Sequence, residues 1–322
     1  MLKPNILITG ATGFVGRQLV TELLVQKFSV FAIVRDEGAV VPIGATKIIK
    51  GDLTTIKDWL PVLQNIDIVI HLAGRAHIVD DSVADPLAEF RKVNTKASLK
   101  LAKQAAEAGV KRFVFISSVK VNGEITCLDK PFKPDDHFVP DDPYGLSKYE
   151  AEQGVMALAK ETDMEVVIIR PPLVYGPGVR ANFASMIRWV DKGVPLPFGA
   201  IHNKRSLVAL DNLVSFIICC MKHPKAANEI FLISDGEDVS TTQLLKKVAD
   251  ALGKKTMLVP IPVELMRWVA KLFAKRGMAN RLFSSLQVDS SKAYDLLVWE
   301  PMTSMDEQLQ KTVNAYLNEK II

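Results

Sequence analysis

The sequence predicts an α/β fold built on a doubly wound parallel sheet, with a smaller, non-contiguous C-terminal lobe. Short apolar runs alternate with longer amphipathic runs over residues 1–170, a glycine-rich turn joins the first run of each kind, and distinctive polar residues follow the ends of the apolar runs. Such alternation produces parallel strands connected by right-handed helical crossovers. Because these sheets bind ligands at the carboxyl ends of their strands, we expect the functional site at that edge.

The predicted strands are apolar runs bounded by turn-forming residues, and the predicted helices have one apolar face. The strands are residues 5–9, 29–34, 46–50, 67–72, 112–117 and 165–170, and the helices between them are residues 14–26, 55–63, 87–108 and 144–161.

Beyond residue 170 the alternation stops. Residues 171–206 are loop-rich, and a strand at 206–209, a helix at 211–222 and a strand at 229–233 then predict a return to the main sheet. Further helices are predicted at 240–252, 263–275 and 303–316. We therefore predict a first domain of residues 1–170 with 206–234, and a discontinuous second lobe of residues 171–205 with 235–322.

The composition narrows the class of protein. The chain has 322 residues, 48% of them apolar, and a net charge of +4, which is a small charge for a nucleic-acid-binding protein. Its three cysteines, Cys127, Cys219 and Cys220, indicate a reducing compartment without disulfides. We see no secretory leader and therefore expect a cytoplasmic protein. We also predict that it binds no metal.

The most membrane-like stretch, residues 261–275, is too short and too charged to span a bilayer. We expect a helix that packs one apolar face onto the protein's own body, and the alternative is a helix on a membrane surface. That face comprises Leu265, Trp268, Val269, Leu272 and Phe273.

The glycine-rich turn has the spacing of a dinucleotide-binding turn. Gly10 would permit the tight turn, Gly13 would let the backbone approach a pyrophosphate, and Gly16 would allow close packing of helix on strand. Backbone N–H groups and the positive end of the helix dipole would then hold the phosphates. The intervening Thr12, Phe14 and Val15 are assigned to the same cofactor contact.

A second group of residues downstream predicts chemistry at this edge. Asp142 and Pro143 indicate a helix start, which places Tyr144 in the first turn and Lys148 on the same face. An adjacent ammonium and a helix N-terminus would lower the pKa of the phenol toward neutrality, and Ser118 would bind the same substrate oxygen. Taken alone, the tyrosine and lysine could equally be surface residues.

Several motifs together resemble the extended short-chain dehydrogenase/reductase family, within its nucleotide-sugar epimerase/dehydratase/reductase branch. They are TGATGFVG (9–16), GDL (51–53), HLAG (71–74), Asn94, SSVKVNG (117–123), YGLSK (144–148) and RPPLVYGPG (170–178). The resemblance implies a Rossmann dinucleotide-binding domain, a nucleotide-sugar-binding second lobe and a homodimer. It also implies a Ser118/Tyr144/Lys148 triad that exchanges hydride between a sugar and nicotinamide, with Asn94 ordering the active-site helix.

The resemblance also implies further contacts. Asp52 and Leu53 would line the adenine pocket, and the remaining cofactor contacts would be Leu72, Ala73, Gly74, Asn94, Tyr144, Lys148 and Pro171. The predicted substrate contacts are Arg75, Ser118, Lys120, Asn122, Asn182, Leu196, Phe198 and Arg205, with His77 close to Arg75. The alternatives are a solvated surface charge for Arg205, a helix cap for Asn182, and plain surface positions for Lys120 and Asn122.

The tip of the second strand bears on cofactor choice. NAD-preferring relatives have an acidic residue there, whereas this chain has Val34 followed by Arg35. An arginine suits a 2′-phosphate, so we favour NADP(H). Asp36 keeps NAD(H) as the alternative, and Arg35 could also be a plain loop charge.

The family contains more than one reaction. The acidic pair that dehydratases place after the catalytic serine is missing here, and Leu173 replaces the family's asparagine. Our first hypothesis is NADPH-dependent reduction of a UDP-4-keto-6-deoxy-N-acetylhexosamine for surface polysaccharide synthesis. The alternative is a UDP-glucose or UDP-N-acetylglucosamine 4-epimerase with bound NAD. A non-catalytic nucleotide-binding assembly factor is a more distant alternative.

Overall fold

The structure, a computed structural model, describes residues 3–75, 85–272, 280 and 282–321. Its strands are β1 (Asn5–Thr9), β2 (Ser29–Val34), β3 (Thr46–Ile49), β4 (Ile68–His71), β5 (Arg112–Ile116), β6 (Glu165–Arg170), β7 (Leu173–Tyr175), β8 (Arg205–Ala209), β9 (Glu229–Leu232) and β10 (Asp238–Val239). Its helices are α1 (Phe14–Val25), α2 (Leu60–Leu63), α3 (Pro86–Phe90), α4 (Ser98–Glu107), α5 (Pro143–Glu161), α6 (Ala181–Asp191), α7 (Leu210–Lys222), α8 (Thr241–Ala251), α9 (Val263–Leu272), α10 (Ser291–Leu297) and α11 (Met305–Ile321).

The main sheet has the order β3-β2-β1-β4-β5-β6-β9, and all of its pairings are parallel. The strand order reverses between β1 and β4, which is the point where a doubly wound sheet binds its ligand. The predicted α/β fold is confirmed. Apart from the edge strand β3, which is mostly exposed, the strands read as largely apolar runs because both faces of the sheet are buried.

Alternate residues of each strand enter different cores. Ile6 and Ile8 pack against α1 and α7 on one face, whereas Leu7 packs with residues of α4 and α5 on the other. A third apolar cluster lies in the second lobe, between β7, β8, α6 and α8. The edge at which we expect the functional site therefore belongs to a sheet that is covered by an apolar core on each face.

One predicted strand belongs to a different sheet. The strand predicted at 206–209 is β8, and it pairs with β7 in parallel and with β10 in antiparallel orientation to form a small second sheet. The prediction that this strand returns to the main sheet was therefore wrong, whereas β9 does pair with β6. The division into two domains stays a prediction.

The helices differ from prediction mainly where side chains compete with the backbone. The helix predicted at 55–63 shortens to α2, because the Asp52 carboxylate accepts hydrogen bonds from the N–H and hydroxyl of Thr54 and holds a turn. The helix predicted at 87–108 begins one residue earlier, and a π-helical segment, Arg91–Ala97, joins α3 to α4.

Helix α9 presents a different face from the one predicted. Val263 and Met266 pack on Ile201 and Phe283, whereas more than half of the Leu265 and Trp268 surface is exposed. The expectation that Leu265 and Trp268 pack onto the body was therefore wrong, and residue 273 lies outside the described residues. None of the described helices is long and apolar enough to cross a membrane.

Candidate active site

The glycine-rich turn joins β1 to α1. Gly10 has a φ of +72°, which favours glycine, and a Cβ atom there would lie 2.8 Å from the Ala73 nitrogen. A Cβ at Gly16 would lie 2.1 Å from the Gly10 carbonyl oxygen, and the Gly13 N–H donates to that same oxygen at 2.9 Å. The turn therefore leaves no room for side chains at Gly10 and Gly16, in agreement with the roles predicted for them.

The other residues of the turn divide between the core and the surface. Phe14 and Val15 are half-buried against the main core, and Thr12 is exposed. Gly13 occupies the N-cap position of α1, and glycine has no side chain that could accept a hydrogen bond. The first N–H groups of this helix therefore have no capping side chain.

The ends of the neighbouring strands lie beside this turn. Thr9 is aligned with Ile33 on one side and His71 on the other, and His71 is aligned with Phe115. Leu72, Ala73 and Gly74 follow β4, and the Ala73 N–H donates to the Thr9 hydroxyl at 3.3 Å. Parallel alignment thus brings these predicted cofactor contacts to one edge of the sheet.

The tip of β2 is basic. Val34 is buried, and Arg35 and Asp36 are both exposed. The hydrogen bonds from Thr54 lower the pKa of Asp52, and the charge of Arg35 lowers it further. Arg35 is therefore an electrostatic neighbour of Asp52, and the Leu53 side chain that follows is half-buried against the second core.

Ser118 and Tyr144 come together. Ser118 follows β5 and its hydroxyl accepts the Lys120 N–H at 3.3 Å, which starts a 3₁₀ turn, Val119–Val121. Tyr144 lies in the first turn of α5, where its side chain is hydrogen-bonded to Ser118 and its ring makes an edge contact with Phe90 at 5.7 Å. The predicted pairing of these two side chains is present.

The pKa expected for Tyr144 was wrong. Burial raises the pKa of its phenol to about 12; the hydrogen bond with Ser118 lowers the pKa, and the charge of Asp142 raises it. The ammonium of Lys148 does not contribute to the pKa of Tyr144, and it donates to the Ile116 carbonyl oxygen at 2.9 Å.

Lys148 is buried at the centre of the site. Its ammonium lies 4.6 Å from the centre of the Phe115 ring, and a Cβ at Gly74 would lie 3.3 Å from its nitrogen. Burial lowers the pKa of Lys148 to about 8, and the charge of Glu152 raises it. The lysine therefore remains mostly protonated at neutral pH.

Asn94 ties the helices to the strand ends. Its side-chain oxygen accepts the Arg75 N–H at 2.8 Å, and its amide donates to the Arg75 carbonyl at 3.2 Å and to the Ser147 hydroxyl at 3.0 Å. The residue is completely buried within the π-helical segment. This geometry agrees with the ordering role that the resemblance implies for Asn94.

Asn122 is not placed as predicted, whereas the substrate contact of Lys120 stays a prediction. Asn122 is buried, where it donates to the Lys133 carbonyl at 2.8 Å and accepts from the Arg170 guanidinium at 3.0 Å. Its polar atoms are therefore used within the protein, and the predicted substrate contact at Asn122 was wrong. Lys120 forms ion pairs with Asp142 and Glu124 and lies 6.0 Å from the centre of the Tyr144 ring.

A cavity of about 300 Å³ opens in the second lobe, and three predicted substrate residues line it: Asn182, Phe198 and Arg205. Arg205 donates to the Ser284 carbonyl at 3.1 Å. Asn182 does not act as a cap, because α6 begins at Ala181 after an Arg180 N-cap. Leu196 is buried in the lobe's core, pairs with the strand-like segment at Leu258 and is not among the residues that line the cavity, so its predicted substrate contact stays a prediction.

The cavity is close to Ser118. The Pro171 carbonyl accepts the Val119 N–H at 3.0 Å, and Leu173, two residues further along, lines the cavity. Two residues of extended chain span about 7 Å.

The Arg75 guanidinium lies 5.8 Å from the centre of the Phe90 ring, and His77 lies outside the described residues.

The sequence analysis missed some lining residues, among them Met186, Trp189 and Leu282. The signal was present for two of them: Met186 and Trp189 follow Asn182 at helical spacing, which places them on one face of α6.

Comparison with known proteins identifies the family. Residues 6–234 match the model of the NAD dependent epimerase/dehydratase family. The chain belongs to this family. The expectation of an enzyme from this branch is thereby confirmed, and with it the resemblance on which the site residues were assigned.

Individual relatives extend the match over nearly the whole chain. It is 48% identical to a UDP-glucose 4-epimerase of Vibrio cholerae, over 98% of this chain and 96% of that protein. It is 29% identical to an N-acetyl-α-D-glucosaminyl-diphospho-ditrans,octacis-undecaprenol 4-epimerase of Escherichia coli O157:H7, over 97% and 95%. The structure of MoeE5 in complex with UDP-glucose and NAD superposes with a TM-score of 0.78 at 26% identity, covering 98% and 99% of the two chains.

Proposed function

We propose that this protein is a UDP-sugar 4-epimerase that uses NAD. The observation that carries the proposal is the match to a UDP-glucose 4-epimerase at 48% identity along 98% of the chain. The hydrogen-bonded Ser118–Tyr144 pair with Lys148 beside it supports the same conclusion, because a proton carrier is needed at the reacting hydroxyl. The 4-epimerase thus replaces the reductase as our first hypothesis.

The residues present fit a nicotinamide dinucleotide. Gly10 and Gly16 let the turn pack closely against the Ala73 backbone and against itself, and the N-terminus of α1, which has no side-chain cap, lies directly after it. At Gly74, the end of the next strand, a Cβ atom would lie 3.0 Å from Asn94 Oδ1 and 3.3 Å from Lys148 Nζ, so the strand end approaches these two side chains closely. When bound, the cofactor would supply the hydride acceptor and donor for the sugar carbon.

The chain's own residues would manage the proton and the orientation of the sugar. Tyr144, acting as the phenolate, would take the proton of the sugar hydroxyl at C4 and later return it from the phenol. The Ser118 hydroxyl would bind the same sugar oxygen and keep it in line with the phenol. Arg205 would pair with the substrate diphosphate, and Asn182 and Phe198 would contact the nucleotide within the second-lobe cavity.

We favour NAD over NADP as the cofactor. NAD is named with the structural neighbour MoeE5, and an epimerase returns to the sugar the hydride it removed, so it has no need of a reduced cofactor pool. Arg35 would then be a neighbour of Asp52 instead of a ligand of a 2′-phosphate. Replacing Arg35 by alanine should change the affinity for NAD by no more than about twofold. If Arg35 instead binds a 2′-phosphate, the same replacement should weaken NADP binding by about tenfold or more.

The test is epimerisation without added reductant. Purified protein is incubated with UDP-glucose or UDP-N-acetylglucosamine plus NAD, and the galacto epimer is measured by chromatography. We expect the epimer to form without net reduction or oxidation of the cofactor, and Tyr144→Phe to lose turnover while it still binds NAD. The proposal would be overturned if neither UDP-glucose nor UDP-N-acetylglucosamine were converted to its epimer.

The reductase remains a second candidate because Arg35 is exposed at the tip of β2, where a 2′-phosphate would lie. Its test is NADPH consumption with a UDP-4-keto-6-deoxy-N-acetylhexosamine. Consumption of NADPH together with absent epimerase activity would favour the reductase.

We further propose a cytoplasmic homodimer that uses the paired helices α4 and α5. These two helices pack against each other and would form a helical bundle with a second copy. Light scattering should give twice the chain mass of 35.5 kDa. A monomer at micromolar concentration would contradict this part of the proposal.

A further inference from the structure

A buried ion pair lies directly behind the catalytic residues. Arg170, the last residue of β6, donates from Nε to Glu152 Oε1 at 3.0 Å and from Nη2 to Glu152 Oε2 at 2.6 Å. The glutamate side chain is completely buried and the arginine side chain is 5% exposed. Burying two charges costs more than an apolar pair of the same size, so such a pair is weak evidence for stability and suggests a specific role.

Glu152 shares a helix face with the catalytic residues. Tyr144, Lys148 and Glu152 follow each other at intervals of four residues on α5, so they lie in one row. The buried ammonium of Lys148 needs a compensating charge, and Glu152 is the neighbour whose charge favours its protonated form.

Arg170 connects this helix to the turn that contains the catalytic serine. Its Nη1 donates to Asn122 Oδ1 at 3.0 Å and to the Pro134 carbonyl at 3.1 Å. Asn122 ends the 3₁₀ turn that begins at Ser118. One guanidinium therefore holds both the element that carries Tyr144 and the element that carries Ser118.

We propose that Glu152 and Arg170 form a positioning pair that fixes the serine turn against the Tyr144 and Lys148 face of α5 and supplies the negative charge opposite the Lys148 ammonium. The proposal rests on the proposed function only in that the triad performs the reaction. Neither residue is a catalytic residue, because each acts through a neighbour.

In the part of the chain that the structure describes, few other ionisable groups lie near Lys148. Tyr144 and Glu152 lie on α5, and Arg170 on β6 holds Glu152. His71 on β4 stays neutral because burial lowers its pKa to about 3. A change in the titration of Lys148 after replacement of Glu152 therefore reports on the pair.

The test compares Glu152→Gln with Glu165→Gln. Glu165 also binds an arginine, Arg112, but at the opposite end of β6, away from the triad and with its own side chain 42% exposed, so it is a control for loss of a glutamate–arginine pair on the same strand. We expect Glu152→Gln to lower kcat by about tenfold or more at nearly unchanged KM, because small displacements of catalytic groups cost about that much. Glu165→Gln should keep the wild-type kcat.

A second readout does not depend on turnover. Carbon-13 NMR of labelled lysines, with the Lys148→Met spectrum to identify the resonance, follows the titration of Lys148 directly. We expect its midpoint to fall by about one unit in Glu152→Gln and not in Glu165→Gln. The alkaline limb of kcat should move to lower pH with it, and Glu152→Asp, which keeps the charge, should restore the limb.

A neutral double variant covers the case in which Glu152→Gln does not fold. Glu152→Gln with Arg170→Met leaves no unpaired guanidinium in the core, so it should fold, lower kcat and shift the titration of Lys148 in the same direction but by less than the single variant does. A wild-type kcat and an unshifted Lys148 in the folded single or double variant would overturn the proposal. If the wild type leaves UDP-sugars unchanged, the proposed function fails, and the NMR titration still decides the role of the pair.

Discussion

Replacing Lys148 by methionine should make the protein more stable while it abolishes turnover. Burial lowers the pKa of Lys148 from 10.5 to about 8. At about 1.4 kcal/mol per unit, this shift corresponds to about 3 kcal/mol of lost stability at pH 7. The variant also loses the hydrogen bond to the Ile116 carbonyl, worth about 1 kcal/mol. The free energy of unfolding should therefore rise by about 2 kcal/mol, or about 3 °C in Tm for a chain of this length.

The pH dependence of this gain follows from the sign of the shift. An unfolded lysine keeps its proton up to about pH 10.5, whereas folded Lys148 keeps it only to about pH 8. Between these values the unfolded state binds more protons, so the wild type becomes more stable as the pH rises. The advantage of Lys148→Met should be complete at pH 7 and largely gone near pH 10.5.

The assay is thermal unfolding of nucleotide-free protein, followed by circular dichroism from pH 7 to 10.5. Lys160→Met is the matched control, because Lys160 lies in the last turn of the same helix and is exposed. It should change Tm by less than about 1 °C. A Lys148→Met variant less stable than the wild type at pH 7, or an advantage independent of pH, would refute the reasoning.

Three further variants test the turn, the sheet and the cavity. Gly16→Ala places a methyl group 2.1 Å from the Gly10 carbonyl oxygen, so it should weaken NAD binding by about a hundredfold in titration calorimetry; wild-type affinity would contradict this. Arg112→Met removes the donor to the carbonyls of residues 220, 221 and 223, and should lower the free energy of unfolding in urea by about 3 kcal/mol. A loss below about 1 kcal/mol would argue against that role. Arg205→Met should raise the KM for the UDP-sugar by about tenfold and leave NAD affinity unchanged, and an unchanged KM would remove Arg205 from the diphosphate site.

The sequence predicted the elements of the main sheet well because most of its strands are buried on both faces and read as largely apolar runs. The same pattern predicted that Gly10, Ser118 and Tyr144 would lie at one edge of the sheet, because parallel strands end on the same side. The pairing of β8 could not be predicted in this way. Its apolar pattern is that of a main-sheet strand, and only its partners, β7 and β10, distinguish it.

The sequence says least about residues whose surroundings come from distant segments. Asn122 follows Ser118 closely, but Arg170 and the Lys133 carbonyl occupy its polar atoms. Leu196 was assigned to the nucleotide pocket by resemblance, and its side chain lies in the core of the second lobe. Spacing along the chain identifies side chains that share a face, but it does not show which of them remain free.

The pKa of Tyr144 shows the same distinction in energetic terms. A charge four residues away predicted a lowered pKa, whereas burial raises the pKa of Tyr144 and lowers that of Lys148, in both cases toward the neutral form. Only short contacts act against this: the hydrogen bond from Ser118 to the phenol and the carboxylate of Glu152 beside the ammonium. The position of the proton in this site therefore depends on a few buried contacts, so variants of Ser118 and Glu152 should shift the pH dependence of turnover as well as its rate at any one pH.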